Sequence, residues 1–93
     1  MRFEWDEVKN QSNIRKHGID FNDVPSMFDH PMLVARDDRL AGAEERWVGL
    51  GWLRSLVGVV VYTERHGDVV RIISARKATT RHEAKRYDQN FAD

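Results

Sequence analysis

Three strand-like runs crowded between Glu45 and Lys77 limit the possible folds more than any other part of the chain. They cover about Glu45 to Trp52, Leu56 to Arg65 and Val69 to Lys77, and are built on Val, Ile, Leu and aromatic residues. The gaps between them, centred on Arg54-Ser55 and Gly67-Asp68, leave room only for tight turns, so consecutive strands must pair antiparallel. With two-residue turns at both gaps, Val48 opposes Val61 and Arg46 opposes Thr63 across the first hairpin. Across the second, Arg65 opposes Val70, Glu64 opposes Arg71 and Val59 opposes Arg76. One face then carries Arg46, Val48, Leu50 and Trp52, Val57 through Arg65 at alternate positions, and Val70, Ile72, Ser74 and Arg76. The other carries Trp47, Gly49, Gly51, Gly58, Val60, Tyr62, Glu64, Val69, Arg71, Ile73, Ala75 and Lys77. Its three glycines leave a shallow area beside two aromatics, and a one-residue slip would exchange the faces.

The remaining segments supply helices and two short strands. Phe3-Glu4-Trp5 alternates like a strand, and Asp6 is an N-cap for a helix that runs to His17 and stops at Gly18. Val8 and Ile14 are its only clear apolar anchors. Trp5, Lys9, Asn13 and Lys16 or His17 lie along a single face instead, a polar one. Phe21, Val24, Met27 and Phe28 outline a second helix capped by Asp20 or Asn22, with Pro25 in its first turn and Pro31 at its end. Met32 to Arg36 reads as a short strand and Asp37 to Ala43 as a loop. Thr80 and Glu83 form a capping box for a last helix from Arg81 to about Asn90, burying Ala84, Tyr87 and Phe91 and exposing Lys85 and Arg86. Together these predict a single α+β domain over residues 1–93, with helices packed on a twisted antiparallel sheet of about four strands.

Charge narrows the function. The net charge is zero, yet residues 1–45 hold six Lys and Arg against ten Asp and Glu, and residues 46–93 hold nine against five. Segregation of this kind suggests an anionic ligand for the C-terminal half. Arg76 and Lys77 end the third strand at a sheet rim beside the predicted helix N-terminus, a setting that suits phosphate. Arg46 and Arg65 are neighbours in the register above and can share one phosphate. Arg76, six residues from the level of Arg65, is on the order of 20 Å away at about 3.3 Å per residue, so one phosphate cannot touch all three. His17, beside Lys16, is the best acid or base among the four histidines. Trp47, Trp52 and Tyr62 are candidate stacking residues, with Trp52 favoured for the core. The chain has no cysteine, no apolar run long enough to span a membrane, no signal-peptide pattern, no glycine-rich phosphate loop and no clustered metal ligands. It is expected to be cytoplasmic and to need no metal or other cofactor.

Four segments carry a family resemblance: FEWDEVKNQSNIRKHGIDF (Phe3 to Phe21), EERW (Glu44 to Trp47), VVYTER (Val60 to Arg65) and RIISARKAT (Arg71 to Thr79). In order and spacing they resemble the BrnT family, the toxin halves of bacterial type II toxin–antitoxin systems. The resemblance implies a RelE-like fold and a growth-arresting ribonuclease. It also implies a BrnA-type antitoxin, a heterotetrameric complex with it, and contact with operator DNA only through that antitoxin. Carried over residue by residue, it points to Lys16, His17, Glu45, Arg46, Arg65, Arg76 and Tyr87 as active-site members. Trp47, Lys77 and Arg81 are further expected RNA contacts. Val24, where the family more often has a small residue, and Pro25 after it depart from the pattern in helix packing only. Metal-free cleavage needs a base for the 2′-OH, cations for the charge that develops on phosphorus and an acid for the 5′-oxygen. The arginines suit the second role, while His17, Glu45, Tyr87 or a lysine would fill the others. A module of the same fold that pairs with an antitoxin and regulates its operon without cutting RNA is the alternative.

Overall fold

In the computed structural model, which describes residues 1–37, 45–78 and Lys85, the three central strands form as β3 (Trp47–Leu53), β4 (Leu56–Arg65) and β5 (Val69–Lys77). They are joined by β1 (Arg2–Glu4) at one edge and β2 (Leu33–Arg36) at the other, giving five strands in the order β1-β5-β4-β3-β2. The expected count of about four omitted one strand, and the sheet is not wholly antiparallel. β1 pairs parallel to β5, with Arg2, Phe3 and Glu4 against Val69, Val70 and Arg71.

The first hairpin has the predicted register, with Val48 against Val61 and Leu53 against Leu56 around the Arg54-Ser55 turn. The second does not. Its loop holds three residues, His66, Gly67 and Asp68, with His66 and Gly67 both left-handed at φ 49° and 75°. Arg65 therefore pairs with Val69, Glu64 with Val70 and Thr63 with Arg71. Beyond Tyr62 and Ile72 a β-bulge takes up one residue, Ile73, and the ladder resumes with Val61 against Ser74 and Val59 against Arg76, as predicted. The faces assigned to residues 69–73 are thus reversed, while those of residues 74–77 stand. Arg71 leaves the side of Glu64 and joins the face of Thr63.

Helix α1 (Glu7–His17) has the predicted ends. The Asp6 carboxylate accepts from the Val8 and Lys9 N–H groups, and Gly18, at φ 70°, donates its N–H to the Ile14 carbonyl. Its inward face is not apolar. Val8, expected as an anchor, is 77% exposed, and the buried helix residues are Asn10 and Asn13. Asn13 Nδ2 donates to the carbonyls of Ala75 (2.8 Å) and Ile19 (2.9 Å), and its Oδ1 accepts from Ala75 N–H (3.1 Å). β1 ends at Glu4, so among the described residues no strand flanks β5 on that side beyond Arg71, and the Asn13 amide pairs with its edge in place of a peptide group. Asn10 does the same for the next segment, accepting from Phe21 N–H (2.8 Å) and donating to the Asp20 carboxylate (3.0 Å). The Asp20 carboxyl is held below its ordinary range, first by the Asn22 backbone N–H and then by the Asn10 and Asn22 side chains. The Glu7 carboxyl is lowered likewise by Gln11, Trp5 and Asn10. The stability these bonds contribute is present above the unfolded-state carboxyl values and is lost as pH falls through the folded-state ones.

The second predicted helix is two 3₁₀ turns, Phe21–Asp23 and Pro25–Asp29. Pro25 has no N–H to donate back to Phe21, so an α-helix cannot pass through it, and the chain restarts with Met27 N–H on the Val24 carbonyl. These turns cover the glycine-bearing face. Phe21, Val24, Met27, Leu53, Val60, Tyr62, Val70, Ile72 and Ala75 form its core, with Phe28 edge-on between Phe3 (5.1 Å) and Tyr62 (5.2 Å). The shallow area over the glycines is filled by Met32, whose Cε would stand 2.5 Å from a Cβ on Gly49. On the other face Leu50 and Val59 pack with Leu33, Val48, Val57 and Ala78. Lys85 is helical and exposed. The rest of the predicted last helix, including its Thr80–Glu83 capping box, lies outside the described residues, as does all of the 37–43 loop except Asp37, which is buried.

Replacing Asn13 by Leu strands one N–H and two carbonyls in a buried site, so urea denaturation should show a loss of at least about 3 kcal/mol, at roughly 1–3 kcal/mol per unmet group. Asn13→Asp keeps the acceptor but turns an oxygen toward both carbonyls, and should be at least as damaging; near-native stability in either variant would refute the role given to this amide.

Candidate functional site

Three arginines gather at one end of the sheet. Continuing the β3–β4 register by one residue sets Arg46 beside Thr63, and the β4–β5 register sets Arg71 on the other side of the same threonine. Arg65 lies two residues along β4 on that face. Thr63, between them, is buried at 2% exposure. Arg46 and Arg65 were expected to be neighbours, and the register keeps them so. Arg71 was expected to pair with Glu64. Instead Arg71 Nη1 donates to Glu4 Oε2 at 2.6 Å, because the parallel β1 register brings Glu4 level with it. Sequence reasoning missed Arg71 as a site residue, and the only signal available was that the turn could hold three residues rather than two.

A groove of about 180 Å³ lies between α1 and β5, lined by Lys9, Ser12, Asn13, Lys16, His17, Ile73 and Ser74. The predicted polar helix face is therefore real: Lys9, Asn13, Lys16 and His17 share it, whereas Trp5 turns away to meet Phe21 edge-on at 6.3 Å. Lys9, Ser12 and Lys16 follow an i, i+3, i+7 spacing that keeps them on one stripe. Among the described residues that line it there is no carboxylate. Ser74 stands level with Val61 and Arg71 with Thr63, on one face of the sheet. Two residue steps of β4, about 7 Å, thus separate the rim of the groove from the arginine row.

Other predicted residues lie farther off. Arg76 is on the arginine face but level with Val59, so the separation from Arg65 expected of it holds, and its Nη1 donates to the Lys77 carbonyl at 3.1 Å. Glu45 is exposed and stands 3.7 Å from Arg36. Trp47 and Lys77 belong to the opposite face, where Trp47 is half-buried against the core and Lys77 is exposed opposite Gly58. Arg81 and Tyr87 lie outside the described residues. Two aromatic expectations are corrected. Trp52, favoured for the core, is 41% exposed, because its side of β3 faces away from the 3₁₀ turns. Tyr62, a candidate for stacking on bases, is buried against Phe28, and burial pushes its phenol above the ordinary value. Among the described residues no group of three His, Asp or Glu is placed to hold a metal ion, and no helix is long and apolar enough to cross a membrane.

A family model described as "Ribonuclease toxin, BrnT, of type II toxin-antitoxin system" matches residues 5–82. A crystal structure of the ribonuclease toxin BrnT of Brucella abortus, at 1.1 Å resolution, is similar with a TM-score of 0.64 and 26% identity, covering 86% of this chain and 99% of that one. Nothing matches among curated proteins. The chain belongs to the BrnT family of ribonuclease toxins of type II toxin–antitoxin systems. An antitoxin is the partner that membership in such a system implies.

The Glu4–Arg71 pair is partly open to solvent, with side chains 43% and 29% exposed. A double-mutant cycle with Glu4→Gln and Arg71→Gln should return a coupling of about 0.5–1 kcal/mol, the range of such surface pairs. A coupling several times larger would make Arg71 a structural pin of β1 rather than a cation available to a ligand.

Proposed function

We propose that this chain cleaves RNA without a metal ion, using Arg46, Arg65 and Arg71 to hold the scissile phosphate. The observation that carries the reading is the register that sets three arginines on one sheet face around Thr63, at one end of the sheet, in a chain of a ribonuclease toxin family. In the proposed reaction the ribose 2′-oxygen loses its proton to a general base and bonds to phosphorus. The bond from phosphorus to the 5′-oxygen breaks, and a general acid returns a proton to that oxygen. The products are a 2′,3′-cyclic phosphate and a 5′-hydroxyl. Negative charge grows on the non-bridging oxygens as the new bond forms, and fixed guanidiniums stabilise it more than they stabilise the ground state. Planar two-pronged donors suit that task better than ammonium groups. Glu4, bonded to Arg71, holds that guanidinium in place before RNA arrives. His17 and Glu45, with Tyr87, are the groups proposed for proton transfer, and Lys16 and Arg76 steady the strand nearby, with Trp47, Lys77 and Arg81 as outer contacts.

The proposed partner is a BrnA-type antitoxin that forms a heterotetramer with the toxin in the cytoplasm and makes the contacts to operator DNA. Purified chain mixed with RNA in the presence of EDTA should leave fragments ending in 2′,3′-cyclic phosphate. Arg65→Ala, folded by circular dichroism, should slow cleavage by roughly 10²–10³-fold, as loss of one charge-stabilising donor does elsewhere, and should relieve growth arrest on induction in a bacterium. Cleavage that stops on chelation, or a folded Arg65→Ala protein as active as the parent, would sink the mechanism. RNA left intact by the parent protein would leave a non-cutting antitoxin-binding module.

A further inference from the structure

We infer that the groove between α1 and β5 is a second phosphate site, one that grips the RNA backbone beside the cleavage point through Lys9, Lys16, Ser12 and Ser74. The inference rests on the reading of this chain as an RNA-binding enzyme, and extends it to two serines and a lysine that reading leaves unused. Among the described residues the lining offers two ammonium groups and two hydroxyls, all able to donate hydrogen bonds, beside the His17 imidazole, and includes no carboxylate. Asn13, also in the lining, brings no unmet group of its own, since both its amide nitrogen and its oxygen are committed to Ala75 and Ile19. A ligand here meets donors beside a satisfied amide, which favours an acceptor-rich group. A volume of about 180 Å³ is well below the roughly 300–1,000 Å³ of sites that enclose a whole small molecule. It fits one tetrahedral oxyanion with its neighbours left outside, the geometry of a phosphodiester in a passing strand. The Ser74 rim lies two residue steps, about 7 Å, from the level of Arg71 on the same face, so a strand held by the arginine row continues into the groove.

The groove is held open by the fold. The Asn13 pairing sets the distance of α1 from β5, and the bulge at Ile73 brings Arg71 onto the face that Ser74 already occupies. An acidic peptide is the competing ligand, but it would gain little from a cleft where, among the described residues, Ile73 alone is apolar.

The test uses the full chain and a fluorescent single-stranded 2′-O-methyl RNA, which cannot form the bond from the 2′-oxygen to phosphorus, so binding is read without cleavage. Lys9→Ala should weaken binding roughly five-fold and lower the salt slope by about 0.7, the value for one lost contact to a single strand. Lys9→Arg should restore much of both, Ser12→Ala should weaken binding with the slope kept, and on cleavable RNA the Lys9→Ala loss should appear in KM rather than kcat. Arg15→Ala removes an exposed cation from the same helix that does not line the groove, and should change the slope less. Equal effects of Lys9→Ala and Arg15→Ala, or no effect of Lys9→Ala in a folded protein, would overturn the site in favour of diffuse attraction. Displacement of the RNA by a Glu-rich peptide of equal charge, lost in Lys9→Ala, would overturn it in favour of a protein ligand. Groove-dependent binding of the analogue by a protein that leaves ordinary RNA uncut would keep this site and remove only the cleavage reading.

Discussion

The Asn13 amide is the joint on which the rest of this fold depends. β5 touches the helix, the parallel edge strand and the long central strand. Its outer edge beyond Arg71 would otherwise present bare N–H and C=O groups. A side-chain amide has the same donor and acceptor as a peptide, so one residue on a helix can pair with a strand edge where no strand remains. The exchange costs the usual apolar contact between helix and sheet, which α1 largely lacks: its most apolar early residue, Val8, faces solvent. Helix and sheet are therefore held by a few directional bonds, and these fix rotation about the helix axis more tightly than packing would. Fixing that rotation is what puts Lys9, Ser12 and Lys16 on the groove.

The bulge at Ile73 is the second constraint, and it acts on charge. Strand side chains alternate, so one extra residue in β5 reverses everything on the turn side of it and nothing beyond. The three-residue loop at His66 to Asp68 and the bulge compensate each other, which leaves Arg76 opposite Val59 in either arrangement. Only residues 69–73 exchange faces, and among them Arg71 is the one that matters. Its move to the side of Thr63 makes a pair of arginines into a row of three. Glu4 meets it there, half-exposed, close enough to orient the guanidinium and too wet to neutralise it fully.

Much of the arrangement was legible in the residues because it depends on local chemistry. Asp6 and Gly18 mark the ends of α1 by hydrogen bonds that reach no farther than four positions, and the first hairpin register follows from Arg54-Ser55 alone. The polar stripe from Lys9 to His17 is a matter of helical period. The second helix was misread because hydrophobic spacing at Phe21, Val24, Met27 and Phe28 suits an α-helix and two 3₁₀ turns equally, and the missing N–H of Pro25 decides between them. Trp52 was misplaced for a different reason, since which face of a sheet is covered by helices is not encoded in the strands themselves.

What the sequence determined by itself is the inventory: the strands and their neighbours, the capped helix, the surplus of cations in the C-terminal half and the motifs of the BrnT family. The tertiary structure alone decided which of those cations share a face. That choice turns on the parity of one strand, and parity is set by a single inserted residue whose place is selected by contacts far along the chain: Val60 and Tyr62 in the core, Glu4 on β1 and Asn13 on α1. Local propensity is the same for either parity, so only the assembled sheet distinguishes them.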